Sequence, residues 1–133
     1  MSVFEYNFEQ YKSLSPDLYR KEKYNLQVEL LKLQEDVIKK KRKIAICFEG
    51  RDTAGKSSTI NFFSEHLIPS NFNYVHLGIP TKKERKNWFE RYETYLPNKG
   101  QIVLFDRSWY TRALTEPTLG YCSKKQYEEF MTK

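Results

Sequence analysis

The residues best suited to chemistry in this sequence are Lys56, Ser57, Asp52 and Asp106, and the chemistry they suggest is that of phosphate. Gly50-Arg51-Asp52-Thr53-Ala54-Gly55-Lys56-Ser57 fits the pattern G-x-x-x-x-G-K-[ST]. A chance match in a chain of this size is of order one per cent at ordinary residue usage, so the pattern is read as functional. The stretch follows an apolar run and precedes a helical one, as a phosphate-binding loop requires. Its glycines allow backbone N–H groups between Gly50 and Ser58 to converge on phosphate oxygens, and the helix that follows adds its positive end. Lys56 is placed to reach terminal phosphates, and the Ser57 hydroxyl to ligate Mg²⁺.

A second element lies in the run Ile102-Val103-Leu104-Phe105, which ends in Asp106. A carboxylate at the C-terminal tip of a buried strand stands at the edge where open α/β sheets bind ligands, and there it can serve a magnesium ion. Asp52 is less usual inside such a loop, because a carboxylate beside phosphates repels them unless a metal intervenes or it orients a nucleophile. It reads as a metal or proton-handling residue, with a salt-bridged loop acid as the alternative. Arg51, Arg107 and Arg112 could each clamp a phosphate by two parallel hydrogen bonds. Lys82, Lys83, Arg85, Lys86 and Arg91 form a basic stretch expected on the same sheet edge, part of it simply solvated. Trp88 and Tyr92 read as core-facing, and His66 and His76 have no partner that the sequence identifies. A nucleophilic triad, a zinc site and a glycosidase carboxylate pair are unsupported.

The elements that must position these groups follow from periodicity. Ser15-Pro16-Asp17 is a helix start: a capping hydroxyl, proline at the first helical position and an acid in the first turn. Tyr19, Leu26, Leu30, Leu33 and Val37 then predict one apolar stripe along a long helix. The basic run Ile38–Lys43 closes it, as a solvated helix end or as an anion contact. Short apolar runs at 44–50, 74–80 and 101–107 predict three strands. Helical patterns lie between them, one with Ile60, Phe63 and Leu67 on a face, the other with Trp88, Tyr92 and Tyr95. Alternation of this kind predicts βαβ crossovers and a parallel sheet. Ser123 is expected to cap a last helix. Residues 1–14, with Phe4, Tyr6, Phe8 and Tyr11, read as an arm packed on the domain surface. The organisation expected is an arm and helix over 1–42 and an α/β domain over 43–133.

Bulk composition agrees. The 133 residues carry 23 Lys plus Arg against 17 Asp plus Glu, a net charge of +6, which favours a polyanionic partner over mere solubility charge. Cys47 and Cys122 have no metal-site spacing and read as reduced thiols, which suits a cytoplasmic chain. The N-terminus lacks the apolar core of a signal peptide, and no run reaches the roughly 20 apolar residues of a membrane span.

With "GRDTAGKSS", "WFERYETYLP", "IVLFDRSWYTRA" and "GYCSKKQYEEF" in one order, the chain resembles the class 2 polyphosphate kinases, over roughly Tyr19 to Met131. The segment "YNLQVELLKLQEDV" is similar to that family's N-terminal helix. The resemblance implies a P-loop kinase fold of the thymidylate kinase type, a parallel sheet with flanking helices. It implies Mg²⁺-dependent phosphoryl transfer between inorganic polyphosphate and a nucleoside mono- or diphosphate. Asp52 would organise metal and activate the acceptor, and Lys56 would stabilise the transferring group. Asp106 would serve the magnesium site, and Arg107 and Arg112 would hold phosphates. Glu116 matches a family acid near the nucleotide, and Lys82, Lys83 and Arg91 are candidates for holding polyphosphate. Family members often have glycines where this chain has Ser57 and Ser58. They also continue into a lid and two further strands that nothing here matches, so a remnant that binds without turnover is the alternative expectation. Neither nucleic acid nor membrane is expected as a partner, and the long helix offers a face through which subunits could pair.

Overall fold

The structure is a computed structural model and describes residues 14–132. The arm expected over residues 1–14 lies, apart from Leu14, outside the described residues. Helix α1 (Pro16–Lys39) starts as its sequence dictates, with the Ser15 hydroxyl accepting from the Leu18 amide at 3.2 Å and Pro16 at the first position. Strand β1 (Lys43–Phe48), α2 (Lys56–Ser64), a 3₁₀ turn (Pro69–Asn71) and β2 (Phe72–Val75) follow. Next come α3 (Glu90–Glu93), β3 (Gln101–Asp106), a second 3₁₀ turn (Trp109–Arg112), α4 (Thr115–Thr118) and α5 (Lys124–Met131). Ser123 caps α5 in a reciprocal capping box with Gln126.

The three strands form a parallel sheet in the order β1-β3-β2. β3 is therefore central and buried on both faces. Its side chains alternate between two apolar clusters, as a strand's period of two requires. Ile102 and Leu104 meet Val37 of α1 and Ile60 of α2 on one face, with Ile44, Ile46, Phe48 and Phe63 around them. Val103 and Phe105 meet Val75 and Tyr92 on the other, with Cys47, Leu77 and Trp109. Full burial of each such aliphatic or aromatic side chain contributes roughly 1.5–3 kcal/mol. Cys47 and Cys122 are free thiols. Among the described residues no helix is long and apolar enough to cross a membrane.

Three expectations change. The buried face of α1 is not the leucine stripe: Tyr19, Leu26 and Leu33 are 49%, 64% and 38% exposed, while Gln27, Gln34 and Val37 are buried. The reason is polar. Gln34 donates to the Ile68 carbonyl at 3.0 Å and accepts from its amide at 2.7 Å, while Gln27 donates to Glu65 at 2.8 Å. The helix thus gives the Ile68 amide its acceptor and adds a second donor to the Ile68 carbonyl, which also accepts from the Asn71 amide at 3.1 Å. The second strand covers 72–75 rather than 74–80, because Gly78 takes a left-handed φ of 63° and Pro80 has no N–H to give a ladder. The helix expected around Trp88, Tyr92 and Tyr95 shrinks to Glu90–Glu93. Before it, Glu84 accepts from the Thr81 amide and hydroxyl at 2.7 and 2.6 Å, and such local bonds favour turns over a continuous helix. Tyr92 is buried as expected, but Tyr95 is exposed.

Candidate functional site

The glycine loop joins β1 to α2 and needs left-handed backbone at three places. Gly50 has φ 152°, Gly55 has φ 85° as it caps α2, and Thr53 has φ 62°. Only glycine takes such values without cost, and Thr53 bears about 1–3 kcal/mol of strain that the surrounding loop must hold. Lys56, the first residue of α2, curls back over the loop, its Nζ donating to the Gly50 and Arg51 carbonyls at 3.1 and 2.8 Å. The ammonium thus lies across the loop mouth, held by neutral acceptors that an anion could displace. Arg51 and Ser58 are exposed beside it, with Ala54 closing a turn onto the Arg51 carbonyl at 3.3 Å.

Asp106 ends β3 and is 4% exposed. Its Oδ2 accepts from the Ser57 hydroxyl at 2.9 Å and from the Tyr74 hydroxyl at 3.1 Å, and the His76 Nδ1 stands 3.6 Å away. Partial burial, then the hydrogen bond to Asp106, raises the Tyr74 phenol above its ordinary value, so Tyr74 acts as a proton-bearing donor. Loop and strand end therefore meet directly. Tyr74 and His76 complete the cluster. They were missed, although His76 directly follows β2 on the ligand-binding edge of the sheet and could have been flagged on that ground.

Arg107 follows at φ 66°, left-handed for a non-glycine residue. Its guanidinium donates to Asp52 at 2.6 Å and to the Thr115 hydroxyl at 3.0 Å. Asp52 is thus ion-paired across the loop, the arrangement that the sequence reading kept as its alternative. Two of the cavities around these groups adjoin. One, about 350 Å³, is lined by Thr53, Gly55, Lys56, Ser57 and Ser58. The other, about 300 Å³, is more apolar and is walled by Ile79, Pro80, Leu119 and Tyr121, with Glu116. Asp52, His76, Asp106 and Arg107 line both.

The other expected residues lie elsewhere. Arg112 is 1% exposed and turned away from the loop. Its Nε is 3.0 Å from Glu116, though without hydrogen-bond alignment; its Nη2 donates to the Arg85 carbonyl at 3.0 Å, and the group stacks on Trp88. Burial pushes the Glu116 carboxyl up, and the Arg112 charge opposes that shift in part. Arg91 donates to the Leu77 and Gly78 carbonyls at 2.7 and 3.3 Å, so it braces the segment after β2 rather than facing an anion. Lys82 and Lys83 are exposed. Among the described residues no group of three or more His, Cys, Asp or Glu could hold a metal by itself.

Fold and site together define a parallel α/β protein in which a glycine loop and a strand-end acid meet over two joined cavities. The family model for Polyphosphate kinase 2 (PPK2) matches residues 13–133, and the chain belongs to that family. It is 50% identical over 114 residues to the GDP-polyphosphate phosphotransferase of Mycolicibacterium smegmatis, covering 85% of this chain and 40% of that protein. To the ADP-polyphosphate phosphotransferase of Pseudomonas aeruginosa it is 46% identical over 118 residues, covering 88% and 39%. A polyphosphate kinase 2 crystal structure from Pseudomonas aeruginosa PA01 superposes with a TM-score of 0.79 at 28% identity, over 94% of this chain and 27% of the other. One from Arthrobacter aurescens TC1, at 20% identity, shares the fold with a TM-score of 0.78 over 97% and 48%. The chain thus spans about two-fifths of the length of these two curated relatives.

Proposed function

We infer that the protein transfers a phosphoryl group between inorganic polyphosphate and a nucleoside mono- or diphosphate, with Mg²⁺. The observation that carries this reading is the Ser57–Asp106 hydrogen bond of 2.9 Å, which joins the glycine loop to the acid at the end of β3. Relatives named for GDP and ADP support the nucleotide as acceptor. In the reaction an acceptor phosphate oxygen attacks the terminal phosphorus of polyphosphate. The bridging P–O bond to the next phosphate breaks, and the chain leaves one unit shorter. Catalysis of such a step asks for positioning and charge neutralisation rather than a covalent enzyme intermediate.

Each group has a role in this reading. The loop amides and Lys56 hold phosphate oxygens, with the ammonium exchanging the Gly50 and Arg51 carbonyls for them. Arg107 holds a second phosphate from the opposite wall. Ser57 and Asp106 would hold Mg²⁺, a hard cation that suits oxygen ligands and needs few of them from the protein. When bound, the ion would supply positive charge against the charge that develops on the phosphates during transfer. Asp52, once released from Arg107, would face either that ion or the acceptor. The more apolar cavity beside Glu116 has room for the nucleoside, and Lys82 and Lys83 would meet polyphosphate at the rim. The site's place is the cytoplasm, where Cys47 and Cys122 stay reduced.

The test is phosphoryl transfer by the purified chain with long-chain polyphosphate, Mg²⁺ and AMP, ADP or GDP, beside Lys56→Ala. Transfer is expected, with a loss of about 10²–10³-fold in the variant, the scale of removing one charge-stabilising donor. Lys56-dependent binding without transfer would reduce the reading to phosphate holding. Absence of both would overturn it.

A further inference from the structure

We propose that Glu49 is a positioning residue that holds Arg107 in its site-facing conformation, acting through Ser108. The inference rests on the phosphoryl-transfer reading for its consequence, but its geometry stands by itself. Glu49 follows the last residue of β1 and precedes Gly50. Its Oε1 accepts from both the amide and the hydroxyl of Ser108, each at 2.7 Å, across 59 residues of sequence. Ser108 is fully buried, and its hydroxyl in turn caps the turn Trp109–Arg112 by accepting from the Tyr110 amide at 3.2 Å.

Arg107 lies between two anchors. Its own amide donates to the Phe48 carbonyl at 3.0 Å, extending the β1–β3 ladder by one bond, and the next amide is the one that Glu49 holds. Two consecutive N–H groups of the β3 end are thus tied to consecutive residues of the β1 end. Those ties fix the peptide on either side of Arg107 and hold its φ of 66°, from which the guanidinium reaches Asp52 and Thr115. A carboxylate suits this place because one oxygen can accept two donors at short range. The other oxygen, Oε2, is buried with no partner among the described residues, a cost that an apolar residue would not carry. Glu49 is therefore not explained by burial. The grip on Ser108 explains it.

Four forms of the chain decide the matter: wild type, Glu49→Gln, Glu49→Asp and Glu49→Ala. Glutamine keeps an acceptor at the same reach. Aspartate keeps the charge but is one methylene too short. The readout independent of turnover is the Arg107 side-chain Nε–H signal in a ¹⁵N spectrum, identified by its loss in Arg107→Lys. It is expected to stay in place in Glu49→Gln and to move in Glu49→Asp and Glu49→Ala. Transfer should fall about 10- to 100-fold in kcat for the last two, the scale typical of residues that orient a functional group. Adding Glu49→Ala to Arg107→Ala should then change kcat by less than about twofold, because Glu49 acts only through that guanidinium. An unmoved signal in Glu49→Asp, or fully additive losses in the double variant, would overturn the proposal. Should Glu49→Ala fail to fold, the Gln and Asp forms still separate the outcomes. A wild type without transfer would sink the reading of the reaction alone, leaving the Arg107 signal to judge Glu49.

Discussion

At the scale of single residues, the site is a set of charges already partnered within the chain. Lys56 rests on two carbonyls, Arg107 on Asp52, and Ser57 on Asp106. If Ser57 and Asp106 share a magnesium ion, Ser57→Ala should raise the Mg²⁺ concentration for half-maximal transfer by about 10-fold or more while leaving the melting temperature nearly unchanged. A magnesium titration of the variant against wild type checks this, and an unaltered midpoint would remove Ser57 from the ion's shell. The sequence was legible here wherever spacing fixes geometry: a loop between a strand and a helix, and an acid at a strand tip. It was not legible where partners come from a distance. Nothing in the local sequence says that Arg112 turns inward onto Glu116 and Trp88, or that His76 and Tyr74 face Asp106.

At the scale of elements, the lesson of α1 is that the apolar stripe was a real pattern with the wrong neighbour. Its leucines lie mostly outward, while two glutamines are buried because the segment after α2 presents backbone groups there. Gln34→Ala should therefore destabilise the chain by about 1–3 kcal/mol, the cost of leaving the Ile68 amide without its acceptor, while the Ile68 carbonyl keeps the Asn71 amide at 3.1 Å. Denaturant melts of the variant measure it, and a change within about 0.5 kcal/mol would show that water replaces the side chain. The same reasoning covers the lost helix before β3. Its composition favours a helix, but Thr81, Glu84 and Arg91 bond locally or to the segment after β2, and those tertiary bonds win. The first and third strands lie close to where their apolar runs place them, whereas the second is displaced towards the N-terminus.

At the scale of the whole molecule, pH sorts the carboxylates into two groups. The partners of Glu65, Lys23 first and then Gln27, hold its carboxyl below the ordinary value, and the Thr81 bonds do the same for Glu84. Such groups support folding above the ordinary carboxylate range and lose that support as acid protonates them. Glu116 behaves in the opposite way. Burial raises its value, so the folded chain prefers it protonated, and stability is fullest below the ordinary range and falls as pH rises through the folded value. Relative to Glu116→Gln, wild type should therefore gain melting temperature as pH falls from about 7.5 to about 4. Thermal melts of both at the two pH values test this, and a constant difference would show that the Arg112 charge cancels the burial.

The order of the sheet has a consequence in time. Ser57 meets Asp106 across 49 residues, Asp52 meets Arg107 across 55, and Glu49 meets Ser108 across 59, all over the seam between β1 and β3. Helices α1 and α2 need only local closure, but none of these pairs exists until the longest loop of the sheet has closed. The chemistry is thus assembled by the slowest kind of contact that the fold contains, and a sheet that has begun to part at this seam has already lost its site.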